Sequence, residues 1–339
     1  MRSPHWWRAV AADPVAVAVS HWSRGVTADA SLSEGDPLTA FLAQARRSLL
    51  DQRRATDDAL NEWAAAAPPD CELALDTASL KAPGEDRAAQ NRLYHHGWRV
   101  AYVTATNVGD HLCAIADTAG ADAPRTFAHM TLARAALEGA ARITYLLTPA
   151  GTVCDRVLRA AAVMLASAEE ELRAVAEFAG RNDELHRLAD EVARRRLREV
   201  SDLIQAAGIE VLTNRSGGRS VGLRWVGSKD VVSTSINITA ILNAIAPSRP
   251  GAYRVGSGAA HSQPWVLDDD EAFDIRTNRF NWTFDPVALA GSVDIALLAA
   301  ALTLEAFASL LGADASTERI RAQEREQATT RLAVAFAGT

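Results

Sequence analysis

An arginine and a histidine lie seven residues apart in the segment YRVGSGAAHSQPW, Tyr253 to Trp265, with mostly glycine, alanine and serine between them. A guanidinium binds phosphate and an imidazole titrates near neutral pH, so this pair suits proton transfer at a phosphate ester. If Gly251 to Gln263 forms a helix, Arg254, Ser257 and His261 fall within about 60° of one another on one face. These three residues are therefore a candidate phosphate site.

The glycines of the same segment need a physical reason. Gly256 and Gly258 each cost about 1 kcal/mol of helix propensity relative to alanine. One explanation is that a ligand approaches the face of Arg254 and His261 closely. The other is that the small residues pack on a neighbouring helix, while the arginine and the histidine make structural hydrogen bonds. The sequence leaves both explanations open.

A second charged cluster occupies a predicted helix rich in alanine and leucine. Arg134, Glu138 and Arg142 follow one another at spacings of four residues, which places them along one stripe. If solvated, each ion pair of this stripe contributes only about 0.2–0.5 kcal/mol. Upstream, Asp110 and His111 share the face of another predicted helix, where they would orient the candidate histidine or contact a substrate. A histidine satisfied within the core is the alternative.

An acidic segment, DDDEAFD at 268–274, suggests a different chemistry. On a helix, Asp270, Glu271 and Asp274 would place their carboxylates to share Mg²⁺ ions and a diphosphate, as in class I terpene synthases. The second motif of that family is matched only in part by NDELHRLAD, which has His186 in a Ser or Thr place and precedes the acidic segment. The aromatic content of 6% is also low for stabilising carbocations. A solvated acidic loop is the alternative.

Long amphipathic runs predict the helices that must position these residues. The predicted helices include 87–118, 125–147, 234–246 and 251–263. Residues 209–233 instead alternate between apolar and polar side chains around a Gly-Gly pair, which predicts a small hairpin. Residues 64–86 and 268–282 are predicted to be loops, the first because it contains several prolines.

Local capping signals predict where several helices begin and end. Asp285 is an N-cap candidate because its carboxylate can accept backbone hydrogen bonds, and Pro286 fits the first helical position, which needs no amide donor. Gly312 is placed to end the same helix. Thr152 and Asp155 form a capping-box pattern at the start of another helix.

These elements predict an all-α fold, an antiparallel helical bundle with an N-terminal helical extension and a small β-hairpin-like insertion near 209–233. We assign residues 1–86 to the N-terminal extension and its loop. Residues 87–312 form the predicted bundle core, and residues 313–339 form a C-terminal helix.

The composition indicates a folded protein without an overall basic surface. The chain has 339 residues, 48% of them hydrophobic, and a formal net charge of -7, so counterion release alone does not favour binding to long nucleic acid. The basic stripe EVARRRLRE also carries acids and is expected to be solvated.

The apolar run Val293 to Gly312 contains Asp294 and Glu305, which indicates a core helix. Three widely spaced cysteines suit a reducing compartment, and we predict a cytoplasmic protein with neither a membrane nor DNA as a partner.

The order of the segments carries a resemblance to a known family. DHLCAI at Asp110, TLARAALEGAARITYLL at Thr131, QAAGIEV and YRVGSGAAHSQPW follow one another along the chain. This order resembles a group of actinobacterial proteins related to the HEPN-like superfamily, helical-bundle proteins that include metal-independent RNases, toxins and anti-phage effectors. The spacing of Arg254 and His261, with six residues between them, also matches the pattern of that superfamily. The resemblance covers roughly residues 100–312 and does not explain the N-terminal third.

The resemblance implies that Arg254 contacts the phosphate or the transition state and that His261 is a general acid/base. In that chemistry a ribose 2′-hydroxyl attacks the adjacent phosphate without a metal or cofactor, and a homodimer brings two such helices together around RNA or a nucleotide. It also implies that Arg134 and Glu138 form an internal ion network facing this helix. Val255 departs from the pattern, because active members usually have a polar residue there. This departure favours a non-catalytic helical module that binds a protein or a small ligand.

Overall fold

Ten helices and two small antiparallel sheets make up the part of the chain that the structure, a computed structural model, describes. The described residues are 37–84, 86–120, 127–148, 151–177, 184–215, 219–249, 251–262, 273–274, 279–280 and 285–337. The helices are α1 (Pro37–Ala66), α2 (Glu72–Lys81), α3 (Arg87–Ala119), α4 (Ala128–Leu147), α5 (Val153–Glu177), α6 (Glu184–Ala206), α7 (Ile238–Ile245), α8 (Ala252–Ala260), α9 (Pro286–Leu311) and α10 (Ser316–Ala337). The strands are β1 (Ile209–Thr213), β2 (Ser220–Trp225), β3 (Val232–Ser233), β4 (Phe273–Asp274) and β5 (Arg279–Phe280).

This architecture confirms the predicted all-α fold with a small β insertion. Strands β1, β2 and β3 form one antiparallel sheet, in which Ile209 pairs with Trp225 and Gly222 with Ser233. The insertion therefore has a third strand beyond the predicted hairpin, whose Gly-Gly pair lies outside the described residues.

The predicted capping signals are present as local hydrogen bonds. The backbone N–H of Thr152 donates to the Asp155 carboxylate at 2.8 Å, and the Asp155 N–H donates to the Thr152 hydroxyl at 3.2 Å. The Asp285 carboxylate accepts from the N–H groups of Val287 and Ala288 at the start of α9. Gly312 ends that helix with φ 67°, a left-handed conformation that glycine adopts without a Cβ clash.

Helix α9 is the central element of the main hydrophobic core. It is long and apolar enough to cross a membrane by length and composition alone, and 67% of its most apolar window is buried inside the fold. Its neighbours in the core are α1, α3, α4 and α10, and α7 joins the same core by packing on α4. Phe41 and Leu49 of α1 are fully buried in this core together with Leu112 and Phe307. The assignment of domain boundaries along the chain stays a prediction.

A second hydrophobic cluster joins the first half of α3 to α5, α6 and the three-stranded sheet. Leu93, Leu165, Ile204 and Leu223 are its largest fully buried side chains. The two helices α5 and α6 follow each other through a short connection and pack side by side, as expected for an antiparallel pair. Helix α3 therefore belongs to both clusters and connects them.

The prediction of a loop over residues 64–86 is wrong in its middle part, where helix α2 forms. The prolines that indicated a loop lie on either side of this helix, whose own sequence contains neither proline nor glycine. Tertiary packing also stabilises it, because Asp76 and Leu80 are buried against the rest of the fold.

A buried ion cluster anchors α2 to the bundle. The Arg156 side chain, only 5% exposed, donates from Nε to Asp76 at 2.7 Å and from Nη2 to its other carboxylate oxygen at 3.1 Å. Tyr94 donates to the same carboxylate at 2.9 Å, and Glu72 lies 3.2 Å from Arg156 Nη1. Burial, together with the charge of Asp76, raises the pKa of Tyr94. The sequence did not indicate this cluster.

Candidate functional site

Helix α8, which carries the candidate arginine and histidine, packs directly on α4. A Cβ placed on Gly256 would lie 2.6 Å from the Cβ of Arg134 and 3.2 Å from the carbonyl oxygen of Met130. Gly258 and Ala259 are buried as well. A neighbouring helix, rather than a ligand, therefore accounts for the close approach at Gly256.

The candidate residues themselves lie on the solvent side of α8. Arg254 and His261 are exposed and Ser257 is partly buried. His261 follows the last helical residue, but its N–H still donates to the Ser257 carbonyl at 3.0 Å, so the helical spacing extends to it. Arg254 and His261 thus share a face, separated by about 10 Å along the axis, and Gly256 faces the other way.

A tyrosine that the sequence analysis did not single out connects α8 to the charged stripe of α4. The Tyr253 hydroxyl accepts a hydrogen bond from Arg134 at 3.1 Å and donates to Glu138 at 3.4 Å. The Arg134 guanidinium also lies 5.0 Å from the centre of the Tyr253 ring, a cation–π distance. Glu138 accepts in addition from Arg142 at 2.8 Å. No local sequence signal indicated Tyr253, because its partners lie more than a hundred residues earlier in the chain.

The network of Arg134, Glu138, Arg142 and Tyr253 is partly buried and carries excess positive charge. The side chains of Arg134 and Glu138 are 20% and 22% exposed, whereas Arg142 is 47% exposed. Two guanidinium groups face one carboxylate, so one positive charge is not neutralised within the network. Arg254 follows Tyr253 on α8 and adds an exposed cation to the same helix. This part of the surface therefore favours an anionic ligand.

The structure does not connect the other two predicted supporting residues to α8. Asp110 is exposed and His111 partly buried on α3. Burial lowers the pKa of His111, while the charge of Asp110 acts in the opposite direction. Among the described residues, neither side chain makes a hydrogen bond or ion pair to Arg254 or His261. Their roles in a site stay predictions.

Asp274 does not lie in the helix that the magnesium alternative requires. Asp274 lies in β4 and pairs with Arg279 in the antiparallel strand β5, so no helical i, i+4 face forms at this residue. This pair of strands also corrects the prediction of a loop over 268–282. Asp270 and Glu271 lie outside the described residues.

We expect Gly256→Ala to lower the free energy of unfolding by about 1–3 kcal/mol, because the added methyl overpacks the contact between α8 and α4. This loss outweighs the gain in helix propensity, which is about 1 kcal/mol. Gly291→Ala in α9 is the matched control, because nothing lies within 4 Å of a Cβ at that position. The control should be neutral or slightly stabilising in urea denaturation. Equal midpoints for both variants would contradict the close packing at Gly256.

The fold and this site together define an all-α helical-bundle protein with a cationic patch at the junction of α4 and α8. Comparisons of the chain with protein-family models, curated proteins and solved structures found no match.

Proposed function

We propose that the protein acts on RNA or a nucleotide phosphate at the exposed face of α8, as a metal-independent endoribonuclease of the HEPN-like type. The observation that supports this proposal is the exposure of Arg254 and His261 on one face of α8, the helix whose Tyr253 contacts the cationic network of α4. A side chain that must reach a substrate has to be accessible, and both of these are. An arginine that only stabilised the core would be paired and buried.

In the proposed reaction His261 accepts the proton of a ribose 2′-hydroxyl, and the hydroxyl oxygen attacks the adjacent phosphorus. The new bond joins the 2′-oxygen to phosphorus, and the bond from phosphorus to the 5′-oxygen breaks. The products are a 2′,3′-cyclic phosphate and a 5′-hydroxyl, whose proton comes from a second acid. Arg254 binds the phosphate oxygens and stabilises the charge of the transition state. In a homodimer, the second copy of His261 would supply that acid.

Purified protein incubated with total RNA should produce ends bearing 2′,3′-cyclic phosphate, and EDTA should leave the rate unchanged. The proposed reaction uses no metal, so chelation should not slow it. A metal site that hydrolysed RNA would leave a different end group and would lose its activity when EDTA removed the ion. End-group analysis by ligation and mass spectrometry provides the measurement. Cleavage that stops with EDTA would contradict the proposal.

One observation favours a second candidate, a non-catalytic helical module. The packing of Gly256 against Arg134 explains a glycine of α8 without a ligand. In addition, Val255 stands where active members usually have a polar residue. Such a module would bind RNA or another partner without cutting it. RNA that is retained in a gel-shift assay but stays intact would identify this candidate.

A further inference from the structure

A cavity of about 300 Å³ lies between helices α3, α5 and α6, away from the contact of α8 with α4. It is open to solvent, and its lining combines cationic and apolar side chains with one carboxylate, that of Glu199. Arg92, Arg195 and Arg196 form the cationic part. Met164, Val192 and Leu203 form the apolar part. The volume lies at the lower end of the range in which proteins bind small ligands.

The three arginines are only partly neutralised by neighbouring acids. Arg196 pairs with Glu171 at 2.9 Å, and the nearest acid to Arg195 is Glu199 at 3.9 Å, close to the limit of an ion pair. Arg92 is exposed and makes no ion pair or hydrogen bond with the described residues. One guanidinium therefore faces the cavity without a carboxylate of its own.

The positive potential extends along α3 beyond Arg92. His96 is one turn further along this helix and is partly buried. Burial lowers the pKa of its imidazole, and the nearby charges of Arg99 and Arg196 lower it further. The cavity thus brings cations from two helices to one place, although the sequence of α6 alone indicated a solvated basic stripe.

We propose that this cavity binds a mononucleotide, with the phosphate on Arg92 and Arg195 and the base against the apolar side chains. Each guanidinium can donate two parallel hydrogen bonds to a phosphate group, and two guanidinium groups together match the charge of a phosphate dianion, whereas a carboxylate carries a single charge. The apolar side chains of Met164 and Val192 offer a surface for a flat ring beside these charges. The site is separate from the proposed active site, and its test does not depend on RNA cleavage.

Calorimetric titration of the full chain tests the proposal with three probes: adenosine 5′-monophosphate, inorganic phosphate and adenosine. The nucleotide should bind saturably and at least about 10-fold more tightly than either fragment, because only it reaches both parts of the cavity. Arg92→Ala and Arg195→Ala should each weaken its binding by about 10-fold or more, since each removes a charged hydrogen bond. Arg198→Ala is the matched control, because Arg198 is exposed on the same helix and does not line the cavity.

Nuclear magnetic resonance of His96 provides an independent readout. A bound phosphate offsets the positive charges of Arg99 and Arg196 that lower the pKa of this imidazole, so the nucleotide should raise that pKa. No saturable binding of the nucleotide at millimolar concentration would overturn the proposal. It would also be overturned if inorganic phosphate or adenosine bound as tightly as the nucleotide, or if Arg198→Ala weakened binding as much as Arg92→Ala.

Discussion

Arg156→Met should lower the free energy of unfolding by about 3–5 kcal/mol, the largest stability loss that we expect from a single substitution in this protein. The methionine keeps much of the apolar volume but removes the charge that neutralises Asp76. That carboxylate is 9% exposed and would be left buried with the Tyr94 hydroxyl as its remaining partner. Most of the expected loss of stability comes from leaving this buried charge without a cationic partner.

The position of Arg156 also explains why the effect should spread beyond one ion pair. Its Nη1 donates to the carbonyl oxygens of Leu147 and Thr148 at 3.4 and 3.1 Å, at the end of α4. The Leu147 carbonyl has no partner within the helix, and the Thr148 carbonyl also accepts from the Gly151 N–H at 2.8 Å. A cation at this position interacts favourably with the negative end of the helix dipole. The single side chain therefore holds α2, α3, α4 and α5 together. We expect the substitution to loosen all four.

Equilibrium urea denaturation measures this effect, with Arg173→Met as the control. Arg173 is on the same helix and pairs with Glu170, but both side chains are about half exposed or more. A surface pair of this kind contributes about 0–1 kcal/mol, so the control should stay near the wild type. If Arg156→Met were no more destabilising than Arg173→Met, the buried cluster would not be important for stability.

His261→Ala should reduce the rate of RNA cleavage by about 10²- to 10⁴-fold, the range that a general acid/base contributes. The residue is exposed and makes only a backbone hydrogen bond, through its amide, in the described part of the chain. Its removal should therefore leave the melting temperature almost unchanged. A large loss of rate without a loss of stability is the combination that a merely structural histidine cannot produce.

The control for this variant is His95→Ala, which removes an exposed histidine from α3. Initial rates on a defined RNA, with the fraction of folded protein checked by circular dichroism, give the comparison. Arg254→Ala should also slow cleavage, because the phosphate loses its charged partner. Cleavage that continues at the wild-type rate in His261→Ala would remove this residue from the reaction and move the search to another part of the surface.

Features that depend on neighbours along the chain were predictable from the sequence. The capping box of Thr152 and Asp155 and the cap of Asp285 involve groups within three residues of each other. The long helices α3 and α4 follow the periodic apolar pattern, because burying one face requires that spacing. The same pattern failed at α2. A short helix between prolines has little local signal and depends on its buried contacts for stability.

The contacts that determine the candidate sites were not predictable, because they join distant parts of the chain. Asp76 and Arg156 are 80 residues apart, and Arg134 and Tyr253 are 119 residues apart. Each of these side chains could equally be solvated on the surface of its own helix. The spacing of residues along the chain therefore does not show whether a side chain is paired or buried. The arginines of α6 illustrate the same limit, since only the packing of α6 beside α3 places Arg92 among them.

The all-α class, the main helices, several of their ends and a face carrying Arg254 and His261 follow from the amino-acid sequence. Those features follow from hydrogen bonding and side-chain periodicity within a few residues. Three further features depend on the packing of the helices: Gly256 faces a neighbouring helix, the side chains of Arg254 and His261 are exposed to solvent, and Arg156 is buried in an ion cluster. Burial and charge pairing depend on which helices meet, and that choice is a property of the whole packed chain.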